Sequence, residues 1–493
     1  MDNKTKTKKR LKQLLSLCTV IVIVALSLFV WFRMIGMESS PVRQYNVGKI
    51  KRISTEKPDT IDVLFLGSSH CWNSYNPQVL WDEYGYTSYN MGQSAQTSIA
   101  SYYLLQDALL FQKNIKYVVM DVYYVYCYDQ YVNDVSQETN IYLCFSSNYW
   151  RKQYIDDVYD RQDWMQQYSK EDLYYDTYWN HNAWKALYQD NFDCIDDRYF
   201  VQRKGFCYNL NALYNKSFSM PDCSQFATDE RQPLDDVYFE YLQKIVELCK
   251  SKNIQLIATE APYLNKTKSR HSRLNTLTDY LQQEDIPFVS SNTQERYEQL
   301  DLNNFFLNID HLNALGAESE TLFIGKYLHD NYDLTDRRGD KKYADFADEF
   351  ELLRRNTQNN QVNLKSAIND IINQANEFGD YIVIVVGNGN YPVWYTSRTY
   401  LAEIGITVPP EDDKRPFYGV YTQEQGLLCN KSFAETPTNY RKEILGDRVC
   451  IDMMGNSFEV RVNDYVIKTE TDKAVMIVYD TINDIPARIR YLY

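Results

Sequence analysis

Ser69 stands in Gly67-Ser-Ser-His70, directly after the apolar run Ile61-Asp-Val-Leu-Phe-Leu66. A serine hydroxyl is a poor nucleophile unless a base takes its proton. The base expected is a histidine, and the chain has five: His70, His181, His271, His311 and His329. His70 adjoins the serine and is expected to point elsewhere. His311 lies in Phe306-Leu-Asn308-Ile-Asp310-His311-Leu-Asn313-Ala-Leu-Gly316, between the last strand of an α/β pattern and a helix. Asn308 and Asp310 are placed to hold its imidazole in one tautomer, the third role of a catalytic triad. The chemistry would be acyl transfer or ester hydrolysis through an acyl-serine. The plainer alternative is a Gly-Ser turn after a strand and a helix start with Asp310 near its N-cap.

The elements needed to position these residues are legible. Residues 61–66, 86–91, 115–124, 254–259 and 286–290 read as strands. Residues 97–113, 234–252 and 272–283 read as helices. This alternation predicts a parallel sheet with helices on both faces. Ligands bind such sheets beyond the carboxyl ends of the strands, and Ser69 falls there. Residues 125–230 break the pattern as a Tyr- and Trp-rich insert. Sixteen of the 44 tyrosines fall between Tyr117 and Tyr199. Their flat faces with a polar edge suit sugars, although packing of an unusual cap would use them equally.

Gly67-Ser-Ser-His70, Tyr89-Asn-Met-Gly92-Gln-Ser94 and Asp310-His-Leu-Asn313-x-x-Gly316 together resemble the blocks of an SGNH (GDSL-like) hydrolase. Residues 1–340 resemble the membrane-anchored members that acylate bacterial surface polymers, the D-alanylation and alginate O-acetylation proteins. The resemblance implies a flavodoxin-like sheet, Ser69 as nucleophile, and the amides of Ser69 and Gly92 as oxyanion donors. It also implies a membrane-bound O-acyltransferase (MBOAT) partner. Two departures stand out. Asn308 occupies the family's Asp position three residues before the histidine. The Gly-x-Asn-Asp block is replaced near Met120-Asp121-Val122.

Residues 380–493 change texture to short apolar runs separated by turns, which predicts a β-rich domain. Gly379-Asp-Tyr-Ile-Val-Ile-Val-Val, Leu401-Ala-Glu-Ile-Gly405, Tyr418-Gly-Val-Tyr421 and Ala474-Val-Met-Ile-Val-Tyr-Asp480 resemble the interleukin-like EMT-inducer module, a sandwich-like fold associated with glycan enzymes. A helical linker over 341–379 would join the two domains. Gly387-Asn-Gly389 reads as a turn rather than a dinucleotide site, lacking a third glycine and a following helix.

Residues 14–32 carry no charge and at 1.5 Å per residue just reach across a hydrocarbon core of about 30 Å. Six bases and one acid precede them in residues 1–12, so that tail is +5, while the remaining 481 residues carry -14 - 5 = -19. The positive-inside rule places the tail in the cytoplasm and the rest outside. A cleaved signal peptide is the rival, but its apolar core is usually about 7–15 residues. The expected order is therefore a tail (1–12), a transmembrane anchor (13–36), a stalk (37–60) and the SGNH-like domain (61–340). So acidic a body excludes a nucleic-acid binder, which needs a basic face. With no C-x-x-C, the cysteines give no zinc or thioredoxin signature. Cys194, Cys207 and Cys223, or Cys429 and Cys450, would form disulfides or remain buried thiols. No metal or cofactor is expected. The function expected is an outward-facing acyltransferase or esterase on acyl esters of a surface polysaccharide. The alternative is a non-catalytic glycan-binding adaptor with a degenerate site.

Overall fold

The computed structural model describes residues 2–35, 49–128, 141–161, 163, 165–174, 204–207, 219–365, 367–387, 393, 395–410, 415–432, 439–454, 457–468 and 474–492. Most of the Tyr-rich insert, with Trp164, Trp179, Trp184 and Cys194, lies outside these residues, as do residues 37–48 of the expected stalk. The chain divides into two units, Met1–Phe350 and Glu351–Tyr493.

The first unit is built on five parallel strands: β1 (Val63–Leu66), β2 (Ser88–Asn90), β3 (Tyr117–Asp121), β4 (Gln255–Glu260) and β5 (Phe288–Ser290). Their order is β2-β1-β3-β4-β5, and every pairing is parallel. Every residue of β1 is buried, as expected for a parallel strand covered on both faces. Val63, Phe65, Val119 and Ile257 share one core with Leu80, Ile324 and Leu328 from the helices Pro77–Tyr84 and Ala314–Asn331. Leu64, Leu66, Val118 and Met120 are buried at the alternate positions. The helices Ser98–Phe111 and Asp236–Ser251 pack on one another, the latter also on β4. Each fully buried aliphatic side chain stabilises by about 1.5–3 kcal/mol.

Three sequence readings change. β3 ends at Asp121, and Tyr123–Cys127 turns into a short helix; the apolar run to Tyr124 spans both because both are buried. Residues 49–60 belong to the folded body rather than a stalk. Ile50 and Ile53 are fully buried, and Gln112 Oε1 accepts the N–H of Thr60 at 3.0 Å. The body also continues past residue 340. Arg337 grips Asp62 through two hydrogen bonds of 2.8 and 3.0 Å, and Phe346 stacks on Trp81.

Asp2–Ile35 forms one helix. Its apolar side chains from Leu14 to Leu28 are exposed, and the remainder of the expected span to Phe32 lies outside the described side chains. Among the described residues, no helix is long and apolar enough to cross a membrane.

The second unit is antiparallel. A five-stranded sheet runs β14-β13-β6-β7-β8 and a four-stranded sheet β12-β11-β10-β9. Here β6 is Tyr381–Gly387, β7 Phe417–Thr422, β8 Gly426–Ser432, β9 Asn439–Ile444 and β10 Asp447–Met454. The others are β11 Ser457–Val462, β12 Tyr465–Lys468, β13 Ala474–Asp480 and β14 Ile485–Tyr491. Ile382, Ile384 and Val475 of one sheet share a core with Val449, Ile451 and Val460 of the other. The opposite face of the larger sheet is covered by Ile371, Ile372 and Leu401 from the helices Ile368–Phe378 and Tyr395–Glu403. From Glu351 on, the segment read as a linker therefore belongs to this unit, and it is two helices, Ala344–Leu364 and Ile368–Phe378, rather than one.

Candidate active site

β1 stops at Leu66 because Gly67 follows with φ +146°, in the region that favours glycine. A Cβ there would sit 3.0 Å from Asp121 Cβ, Asp121 O and Cys71 Cβ. The chain can therefore turn tightly between β1 and β3 and begin the helix Ser69–Ser74 at once. Ser68 caps that helix, its Oγ accepting the N–H of His70. Ser69 thus stands at the carboxyl ends of β1 and β3. In the 2-1-3-4-5 strand order this is the topological switch point, where such sheets bind ligands.

His311 arrives on a loop between the helices Leu302–Phe305 and Ala314–Asn331. The loop is pinned in several places. Leu307 N–H donates to His311 O at 2.9 Å, and Leu264 N–H to Ile309 O at 2.7 Å. Asn313, not Asp310, caps the following helix, accepting from Leu315 N and Gly316 N. Gly316 is needed because a Cβ would meet Phe305 O at 2.3 Å.

These elements bring His311 Nε2 to 2.8 Å from Ser69 Oγ. His311 Nδ1 lies 3.0 Å from Asn308 Oδ1. That oxygen also accepts the N–H groups of Asp310 (2.9 Å) and His311 (3.0 Å), which fixes which end of the amide faces the ring. An oxygen there requires Nδ1 to carry the proton and leaves Nε2 as the acceptor for the serine O–H. This is the tautomer a general base needs. Burial, opposed by the charge of Asp310, holds the His311 imidazole below its ordinary pKa. The imidazole is therefore neutral at physiological pH.

Asp310 takes no hydrogen bond or ion pair on its carboxylate among the described residues, and its Oδ1 is buried. Of the two expected oxyanion amides, Ser69 N–H donates to nothing among the described residues and sits at the helix start. Gly92 is a correction. Its N–H is bound to Asn90 Oδ1 at 2.8 Å, and its carbonyl accepts Lys49 Nζ at 2.8 Å. Asn90 is itself a clamp, its Nδ2 donating to Cys71 O and Tyr75 O. Gly92 is glycine for space: a Cβ would lie 2.6 Å from Trp72 N.

The sequence reading passed over the ring wall beside the pair. The His70 ring, expected to point elsewhere, stacks on Tyr123 at 3.5 Å and lies 5.1 Å from the His311 ring. Burial first, then His311 and Arg270, keep His70 well below its usual pKa and hence neutral. Tyr263 stands edge-on to both His70 and Tyr123, and Arg270 lies over Tyr123 and Tyr263. Only the Tyr excess after β3 hinted at this wall. Asp121, where the missing Asn block was sought, accepts Tyr123 N–H and Ala261 N–H and so ties β3 to β4. A separate hollow bordered by Glu56, Phe346 and Glu349 holds none of these residues.

Among the described residues, no three His, Cys, Asp or Glu side chains gather as a metal site, and every described cysteine is a free thiol. Fold and site define an α/β protein with a Ser-His-Asn relay at the switch point of its parallel sheet. No family model matches the chain, and no curated protein matches it.

Proposed function

We propose that this protein is a serine acyltransferase or esterase of the SGNH type. The reading is carried by the relay Ser69 Oγ–His311 Nε2 (2.8 Å) and His311 Nδ1–Asn308 Oδ1 (3.0 Å), set at the sheet's ligand-binding edge. Ser69 passes its proton to Nε2 as Oγ attacks the acyl carbonyl, and the oxyanion is met by the Ser69 N–H. His311 returns the proton to the departing alkoxide, leaving acyl-Ser69. A sugar hydroxyl, or water, then gives its proton to His311 and takes the acyl group, and the proton goes back to Ser69.

The substrate proposed is an acyl ester of a cell-surface polysaccharide. The Tyr-rich sequence that follows β3 would supply flat faces with a polar edge suited to sugar rings. Residues 14–32, behind a +5 tail, would anchor the chain with the site outside, and an MBOAT-type membrane protein would supply the acyl group. The second unit, with its resemblance to the interleukin-like EMT-inducer module, would bind or position glycan.

A second reading, a non-catalytic glycan-binding adaptor, is favoured by one observation: the Gly92 amide is already occupied. Labelling of the full-length protein with a serine-reactive fluorophosphonate separates the two when paired with polymer acylation in cells. The enzyme should label at Ser69, and Ser69→Ala should fold, lose the label and abolish acylation. Wild-type acylation by Ser69→Ala would overturn the proposal.

A further inference from the structure

Asn308 orients His311 but carries no charge to stabilise the imidazolium that forms when the serine proton is taken. A neutral amide in that role leaves the transition state short of the term a carboxylate normally supplies. The structure holds a carboxylate close by. Asp310 precedes His311 and is fixed by its own N–H to Asn308 Oδ1 at 2.9 Å. The neighbouring Leu264–Ile309 and Leu307–His311 backbone bonds prevent the loop from turning it away.

We propose that the third triad role is divided here: Asn308 sets the orientation of the imidazole, and Asp310 supplies the negative charge that stabilises its protonated form. This rests on the acyl-transfer reading of the site. Asp310 is a positioning residue in this scheme, since it acts on substrate only through His311.

Three observations carry the division. The Asp310 carboxylate makes no hydrogen bond or ion pair among the described residues, and its Oδ1 is buried. Asn308 Oδ1 is fully used by three donors, so orientation is complete without Asp310. The groups around the imidazole leave Asp310 as its anionic neighbour. The helix Ser69–Ser74 presents Ser69 and neutral His70 to it, and Tyr123 and Tyr263 pack against His70. The helix Lys268–Gln283 presents the cation Arg270, which interacts with both His70 and Asp310 at longer range. Asp310 is also the group that raises the His311 pKa against the effect of burial.

The test is a charge relocation in the full-length protein. Asp310→Asn should lower kcat by about 10- to 100-fold with KM unchanged and move the acidic limb of kcat/KM to lower pH. Asn308→Asp added to Asp310→Asn should restore the rate to within about threefold of wild type and return the limb, because the charge reappears at the conventional position. NMR titration of labelled histidines, with His311 assigned by His311→Gln, gives a readout independent of turnover. The His311 pKa should fall in Asp310→Asn and recover in the double variant. Unaltered titration in Asp310→Asn, or a double variant no better than the single one, would overturn the division. Absence of fluorophosphonate labelling and of acylation by the wild type, with the titration shifts intact, would instead count against the acyl-transfer reading alone.

Discussion

The Gly92 N–H donates to Asn90 Oδ1 at 2.8 Å rather than pointing into the site. An oxyanion formed at Ser69 would therefore meet one backbone donor from this pair of blocks. Removing one oxyanion donor from an enzyme typically costs about 10²–10³ in kcat. On the acyl-transfer proposal, the single donor predicts slow turnover. Turnover of a simple activated ester should be slow, and donation of the missing hydrogen bond by substrate or partner should raise it.

Gly92→Ala should act on stability. Its Cβ would meet Trp72 N at 2.6 Å and Asn90 Oδ1 and Cys71 Cβ at 3.0 Å, and overpacking of this kind costs about 1–3 kcal/mol. Denaturant titration of the variant should show a lower midpoint. An unchanged midpoint would mean that the segment relaxes freely.

The pH dependence follows from His311. The base works when neutral, and burial, partly offset by Asp310, sets its pKa below 6.5. Labelling of Ser69 should therefore be at its plateau at pH 7 and fall only as pH drops below 6.5. A midpoint above 6.5 would contradict the buried, neutral imidazole.

Glu320 gives a separate pH test on stability. It is fully buried beside Arg296 and Ser291, and burial, only partly offset by Arg296, pushes its carboxyl up to about 7 from 4.5. The folded-state value is raised, so its stabilising contribution is complete below pH 4.5 and is lost as pH rises through 7. Glu320→Gln should flatten the fall in stability between those values, measured by unfolding at a series of pH values. An identical slope in wild type and variant would refute the assignment.

In the second unit, Arg355 Nε donates to Asp480 Oδ1 at 2.7 Å, with Asn359 Nδ2 on the other oxygen at 2.5 Å. Both charged groups are buried. Asp480→Ala leaves the guanidinium unpaired and should cost about 3–5 kcal/mol, whereas Asp480→Ala with Arg355→Met should cost clearly less. Equal losses in calorimetry would show that the pair is not the source.

Much of this was legible beforehand. The strands near 61–66, 86–91, 115–124, 254–259 and 286–290 announced themselves because parallel strands bury both faces and read as continuous apolar runs. Ser69 and His311 were legible by chemistry and by position after strand ends. Strands β8, β9, β10, β12 and β14 do not stand out as apolar runs because they alternate or carry charge on an open face, as Asn439–Ile444 does. The helix Lys268–Gln283 begins four residues before residue 272, since its first turn is polar and Thr267 supplies the cap.

The sequence by itself determined which residue types were available: a serine after a glycine turn, five histidines, and Asn308 in place of an aspartate. It also determined the order of the parallel strands along the chain, because local hydrophobic period is a property of neighbours. Only the tertiary structure decided that residues 242 apart meet at 2.8 Å, that Gly92 serves packing, and that His70 lies against Tyr123. Those outcomes depend on which backbone donors find partners across the fold and how closely chains approach. No linear spacing records either quantity.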